Sequence, residues 1–248
     1  NEERGRIMNQ NHDRVNEVYY GSLFNERTQQ LLRERILWIC ERVRGKYILD
    51  VGCSQGITSI LLGRQAFKVT GIDREEQAIE YANKELEKEE PDTRANVTFI
   101  HANVLTYNFD LQFDTVILGE VLEHFIQPEL VVEKAWGLLK KNGCLIVTVP
   151  FGINNHPDHK QTYYFFNLLK QIHPFFTIKK TKIIGKWLCV VLKKRTKKVE
   201  EALTFIPVKA VTFAESAFFE REQELNQKIK ILQDRLNDLM ERQKRKDQ

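Results

Sequence analysis

The sequence predicts an α/β protein built on a mostly parallel sheet with helices on both faces. Three observations carry this. Short, nearly continuous apolar runs recur from Lys46 onward, at 47–51, 68–72, 97–101, 113–118 and 144–149. Amphipathic stretches lie between most of them, near 57–65, 77–89 and 128–140. Strands that are apolar at consecutive positions have both faces buried, and strand–helix alternation supplies the layers that bury them. Finally, 248 residues with 42% hydrophobic content are enough for one such core plus an appendage.

The elements follow in order. Residues 1–45 read as a helical segment, with Leu31, Leu32, Ile36, Ile39 and Cys40 at helical spacing. The sheet domain is expected over 46–196. After its fifth run come Pro150, a polar loop at 153–161 and a helix over 162–172. Two strand-like runs follow, 175–184 and 186–192, and their short connection at Gly185 makes them an antiparallel pair. Residues 197–212 read as a linker. From Phe213 to Gln248 there is no Gly or Pro, which predicts one helix. Leu225, Ile229, Leu232, Leu236 and Leu239 step by four, three, four and three, a heptad seam that predicts a coiled coil and self-association.

Composition removes several classes. No stretch approaches the ~18 apolar residues of a transmembrane helix. The charged start NEERGRIMNQ is no secretory signal, and its lack of an initiator Met suggests processing or excision from a longer chain. Cys40, Cys53, Cys144 and Cys189 form no Cys-x-x-Cys pair, which points to a reduced, cytoplasmic setting. The net charge of +4 does not by itself indicate nucleic acid. Nine basic residues and no acidic one fall between Lys179 and Lys198. They read as edge lysines that discourage strand pairing, in preference to a face for a phosphate-bearing acceptor or an anionic membrane. No aromatic–basic interleaving suggests nucleic acid, since Trp187 is the single aromatic residue in the stretch.

The strongest local signal is YILDVGCSQGITSILL, Tyr47 to Leu62. A strand runs into Asp50, Gly52 and Gly56 and then a helix. The two glycines permit a tight turn and close approach of a ligand to the backbone, at the start of a helix with unpaired N–H groups. The spacing departs from Gly-x-Gly-x-x-Gly, so a pyrophosphate cradle is poorly supported. Asp73 ends the next strand, where a carboxylate accepts both hydroxyls of an adenosine ribose. Asn103, after the third strand, is placed to face an adenine edge.

These residues resemble the class I S-adenosylmethionine-dependent methyltransferases over about residues 46–194. Asp50-x-Gly52-x-x-x-Gly56 matches the family's first motif and Asp73 its ribose acid. FDTVILGEVLEHF and LLKKNGCLIVTVP match the fourth and fifth strands. The resemblance implies a Rossmann-like seven-stranded sheet ending in an antiparallel hairpin, as the strands around Gly185 suggest independently. It also implies S-adenosylmethionine held by Asp50, Gly52, Ser54, Gly56, Asp73, Asn103 and Val104. Asn103 stands where many members carry Asp, which weakens the adenine contact.

Two further groups carry chemistry. If residues 120–124 open a helix, Glu120, Glu123 and His124 share one face at i, i+3 and i+4, a set able to hold a divalent cation. A second histidine segment, HPDHK at 156–160, rises from the same end of the sheet. Glu-x-x-Glu-His resembles the ubiquinone-pathway O-methyltransferases. With the later histidine it also resembles small-RNA 3′-terminal 2′-O-methyltransferases. The resemblance implies Mg²⁺ or a similar ion on Glu120, Glu123, His124 and His159, with His156 a loop residue. Without metal, Glu120 becomes a cofactor contact, Glu123 a first-turn carboxylate and His124 a general base, with Glu120 and His124 the catalytic pair.

RVNEVYYGSLFNERTQQLLRERILWIC, VGCSQG and PFGINNHPDHKQTYYF together resemble bacterial methyltransferase domains joined to glycosyltransferases of surface-polysaccharide or S-layer glycan assembly. That resemblance implies O-methylation of a terminal sugar, on a lipid-linked glycan acceptor at the inner face of the membrane, with a coiled coil after the domain. One or two of Tyr163, Tyr164, Phe165 and Phe166 are expected to line the acceptor site. The alternatives are a small-RNA 2′-O-methyltransferase and a non-catalytic assembly scaffold.

Overall fold

A computed structural model describes residues 14–21, 24–153, 156–199 and 208–246. The first thirteen residues of the expected helical segment, Asn155 and most of the expected linker lie outside them. The chain divides into two units, residues 1–204 and 205–248.

The first unit carries a seven-stranded sheet of order β3-β2-β1-β4-β5-β7-β6. The strands are β1 (Tyr47–Val51), β2 (Lys68–Asp73), β3 (Val97–His101), β4 (Phe113–Gly119), β5 (Leu139–Pro150), β6 (Phe176–Ile184) and β7 (Trp187–Lys194). The first five are parallel, and β7 pairs antiparallel with both β5 and β6, as the turn at Gly185 predicts. The central strands β1, β4 and β5 are buried over most of their length, which is why their apolar runs are continuous. All four cysteines are buried and unpaired.

The helices are α1 (Val15–Tyr19), α2 (Glu26–Cys40), α3 (Ile57–Arg64), α4 (Glu76–Glu87), α5 (Pro91–Arg94), α6 (Pro128–Leu138) and α7 (Phe165–Ile172). Three expectations need correction. β5 starts at Leu139, directly after α6, rather than at Cys144. Its exposed start, Lys140 to Asn142, hides the strand from an apolar-run criterion. α7 starts at Phe165 rather than Thr162, because Tyr163 bridges to Phe151 and Gly152 and Asn167 Oδ1 accepts the Tyr164 N–H at 2.7 Å. Residues 120–124 form no α-helix: only Leu122–His124 make a 3₁₀ turn, and Glu120 sits at φ +62°.

The second unit is one helix, α8 (Val208–Lys246), which begins five residues earlier than expected. Pro207 stands immediately before it in the sequence, where a residue that cannot continue a preceding helix is compatible with starting a new one. Leu225, Ile229, Leu232, Leu236 and Leu239 are all exposed on it.

Candidate active site

The site is assembled where the parallel strands end. In the order β2-β1-β4-β5, the segments after β1, β4 and β5 emerge side by side, the position where open α/β sheets bind ligands.

The loop after β1 is held from below by β2. The N–H groups of Gly52 and Cys53 donate to the Ile72 carbonyl at 2.8 and 3.2 Å. Gly52 has φ +63° and Gly56 φ +84°, a region that disfavours side chains. Space forbids them too. A Cβ on Gly52 would lie 2.7 Å from the Val121 side chain, and one on Gly56 2.5 Å from Phe99. Gly52 therefore packs directly against the segment after β4.

Asp73 does more than end β2. Its Oδ2 accepts the Ser54 N–H at 2.9 Å and its Oδ1 the Glu75 N–H at 2.9 Å. Each oxygen keeps a lone pair for a ribose hydroxyl. Asp50 is buried and accepts the Ser59 hydroxyl at 2.7 Å. Burial pushes its carboxyl up to about 7 against that hydrogen bond. Asp50 thus braces the loop from inside. Val104 is buried behind the third strand. Asn103 Oδ1 accepts the Leu105 N–H at 3.0 Å, which leaves its amide N–H₂ and a second lone pair of that oxygen to face a ligand.

The acidic–histidine group is smaller than expected. Glu123, His124 and His159 bring a carboxylate oxygen and two ring nitrogens within 4.8 Å of one another. The His124 and His159 rings meet edge to face at 4.9 Å. Glu123 is fully buried and neither of its oxygens completes a hydrogen bond, nor does the buried His159 Nδ1. Burial and then the Glu120 charge push the Glu123 carboxyl well above its ordinary range. Burial lowers both imidazoles, His159 to about 4 with help from the neighbouring histidines. Glu123 does stand in the first turn of the 3₁₀ segment, but fully buried.

Glu120 lies outside the 4.8 Å trio but close enough for its charge to raise both the Glu123 carboxyl and, against burial, the His124 imidazole. The Glu120 N–H donates to the Thr148 carbonyl at 2.9 Å, and its Oε1 lies 3.7 Å from Arg35 Nη1. The α-helical spacing that groups it with Glu123 and His124 does not apply to a 3₁₀ turn preceded by a left-handed residue. His156 is exposed in the loop, as expected, with its ring 4.7 Å from His159. Lys160 and Gln161 donate backbone N–H groups to the Glu123 carbonyl, which ties the HPDHK segment to the 3₁₀ turn.

Arg35 is a site residue that sequence reasoning missed. It is buried, stacks over Trp187 with its guanidinium 4.7 Å from the ring, and donates to Thr148 Oγ1 at 3.2 Å. Its signal was a cation on the apolar face of α2, among Leu32, Ile36 and Ile39. A second is Asn16 on α1, whose N–H donates to Gln55 of the glycine loop at 2.9 Å. Of the four aromatics after the loop, Tyr163 and Phe165 are core, while Tyr164 and Phe166 are exposed.

A methyltransferase-domain family model matches residues 43–202. The chain belongs to that family. This methyltransferase is 34% identical over 125 residues to the ubiquinone biosynthesis O-methyltransferase of Pseudomonas fluorescens, covering 50% of this chain and 52% of that protein. It is 36% identical over 104 residues to the mitochondrial enzyme of the same name from Schizosaccharomyces pombe, covering 42% and 38%. It thus spans about half the length of the curated relatives it matches, or less. Among solved structures, magnesium protoporphyrin IX methyltransferase from Synechocystis, with S-adenosylmethionine bound, overlaps at TM-score 0.63 with 17% identity, covering 77% of this chain and 95% of that one. The N-methyltransferase NodS of Bradyrhizobium japonicum overlaps at 0.56 with 15% identity, covering 73% and 99%. These likenesses establish the fold, a Rossmann-like methyltransferase sheet.

Proposed function

We propose that this methyltransferase transfers the methyl group of S-adenosylmethionine to a hydroxyl oxygen at a divalent-metal centre held by Glu123, His124 and His159. The observation that carries the reading is a fully buried carboxylate with no hydrogen-bond partner on either oxygen, within 4.8 Å of two imidazoles that burial shifts toward the neutral, ligating form. Orphaned buried acceptors are costly, and a cation satisfies all of them at once. One carboxylate and two imidazoles suit Mn²⁺, Zn²⁺ or Fe²⁺ better than Mg²⁺, which prefers an all-oxygen shell.

The glycine loop and Asp73 support the cofactor reading, as do the bound S-adenosylmethionine of one structural neighbour and the O-methyltransferase names of the sequence relatives. In this reading the bond from the sulfonium sulfur to the methyl carbon breaks and a bond to the acceptor oxygen forms. The hydroxyl loses its proton, and S-adenosylhomocysteine leaves. A dication on the trio would act as a Lewis acid on that hydroxyl and lower its pKa. Glu120, whose Oε1 lies 3.7 Å from Arg35 Nη1, would take the proton when both histidines are ligands. In a metal-free site His124 takes it.

The acceptor in this reading is a sugar with neighbouring hydroxyls, at the end of a surface glycan, on a chain continued by glycosyltransferase domains. Exposed Tyr164 and Phe166, on the segment that follows the HPDHK loop, offer stacking faces for it. No described helix is long and apolar enough to cross a membrane. The relatives' names favour a second reading, a hydroxylated ubiquinone precursor. Labelled S-adenosylmethionine tests these directly, with soluble and lipid-linked oligosaccharides, ubiquinone precursors and RNA 3′ ends as acceptors, each with and without EDTA. Glycan labelling that EDTA abolishes is the expected result. Labelling of RNA alone or of quinone precursors alone would replace the sugar. Cofactor binding without transfer to any acceptor would leave a scaffold.

A further inference from the structure

A second charged site lies at the opposite end of the sheet, where β1 and β5 begin and β7 ends. A cleft of about 450 Å³ is lined by Glu41, Arg42, Arg44, Asn142, Lys179, Lys180 and Lys193 over a floor of Val191 and Leu192. We propose that this cleft binds a phosphate-bearing anion of at least two negative charges, a diphosphate or a phosphate ester.

Three features separate it from an ordinary lysine-rich edge. The first is charge. Five cations less Glu41 give the cleft +4, equal to the formal net charge of the whole chain, so the remainder of the molecule is neutral in sum. Such a concentration in a concave wall focuses an attractive field on an anion. Among the described residues, only Arg42 of these five has an ion-pair partner, Glu41 at 2.7 Å. The flanking lysines are different: Lys140 pairs with Asp114, Lys182 with Glu34 and Lys198 with Glu133.

The second is geometry. Neighbouring residues of a strand point to opposite faces, so Lys179 and Lys180 should not line one cleft. The ladder between β6 and β7 shifts register between Ile178 and Lys180, with Ile178 opposite Leu192 and Lys180 opposite Val191. Lys179 is the extra residue of a bulge, a device that re-aims side chains. The bulge is what brings both lysines to the cleft.

The third is origin. Edge protection explains lysines on β6, the edge strand, but not Arg42 and Arg44, which come from the turn before β1. Arg42 stacks on Trp38 with its guanidinium 4.6 Å from the ring, which holds it in place. Two guanidinium groups with three ammonium groups suit phosphate oxygens, by fork and by point charge. The cleft is remote from the trio, so it anchors a ligand or a tethered acceptor and takes no part in methyl transfer.

The test is titration of the whole protein with inorganic diphosphate, by calorimetry and by ³¹P line broadening. Three proteins are compared: the wild type, Lys179→Gln/Lys193→Gln, and a control of equal charge change outside the cleft, Lys170→Gln/Lys182→Gln. The expected result is saturable binding that weakens ~10-fold or more in the cleft variant and less than ~2-fold in the control. Equal weakening in both would reduce the effect to net charge and overturn the site, as would no binding by wild type. S-adenosylhomocysteine affinity and melting temperature, unchanged in both variants, exclude a folding defect. A parallel arm uses phosphatidylglycerol vesicles. Diphosphate competing the protein off vesicles would identify a lipid headgroup as the source of the phosphate. Vesicle-independent diphosphate binding would identify a soluble ligand. Vesicle binding that neither diphosphate nor the cleft variant reduces would contradict the cleft as the site.

Discussion

Asp73 shows how one side chain serves fold and site together. It fixes the glycine loop through the Ser54 N–H while retaining lone pairs for a ribose. Asp73→Ala removes both functions, so S-adenosylhomocysteine affinity should fall by roughly 1–3 kcal/mol, measured by calorimetry. Gly52→Val places a side chain against Val121 at a positive φ, and should abolish binding while also lowering the melting temperature. Unchanged affinity in both variants would contradict the cofactor assignment. His159 makes a prediction about pH. Its folded pKa is about 4, below the ~6.5 of an unfolded chain. As pH falls, the unfolded state takes up this proton first. The stability that neutral His159 contributes is therefore present above ~6.5 and is lost as pH drops toward 4. His159→Gln should flatten the metal-free melting curve over that window.

At the scale of elements, most of the sheet was legible because its central strands are buried on both faces and the runs of all five parallel strands are largely apolar. Tyr47–Val51 and Val97–His101 are located to the residue. The start of β5 was not legible, since Lys140, Lys141 and Asn142 carry no apolar side chain and fall where the pairing with β4 shifts register, between Leu139 opposite Phe113 and Cys144 opposite Thr115. The 3₁₀ turn was misread for a different reason. Residue spacing assumes a helix type, and nothing in Glu-Val-Leu-Glu-His announces that Glu120 takes a left-handed backbone. That dihedral breaks the i, i+3, i+4 spacing by which Glu120 was grouped with Glu123 and His124. His159 joined the group only through family resemblance, because the contact spans 35 residues of sequence and depends on backbone bonds from Lys160 and Gln161 to the Glu123 carbonyl. Helix α8 leaves its heptad seam exposed, and we expect it to self-associate. Light scattering on the full chain and on one ending at Lys198 checks this. Equal monomer masses would remove the coiled coil, and an oligomer in the shorter chain would move the interface to the sheet domain.

For the molecule as a whole, the proposed enzyme joins a methyl donor held by the β1 loop to a metal centre built from the segments after β4 and β5. Chelation should abolish transfer and leave cofactor binding nearly intact, because Asp50, Gly52 and Asp73 lie outside the trio. The most direct measurement is titration of the wild-type protein with Mn²⁺ at about pH 6.5, in two buffers of different ionisation enthalpy. Burial raises the Glu123 carboxyl and lowers both imidazoles, and a ligated ion requires that carboxyl ionised and both rings unprotonated, so binding is linked to proton release. One saturable site whose binding releases protons is expected, lost in Glu123→Gln and His159→Ala. Full transfer activity in EDTA, or Mn²⁺ binding that those variants leave unchanged, would contradict the metal centre.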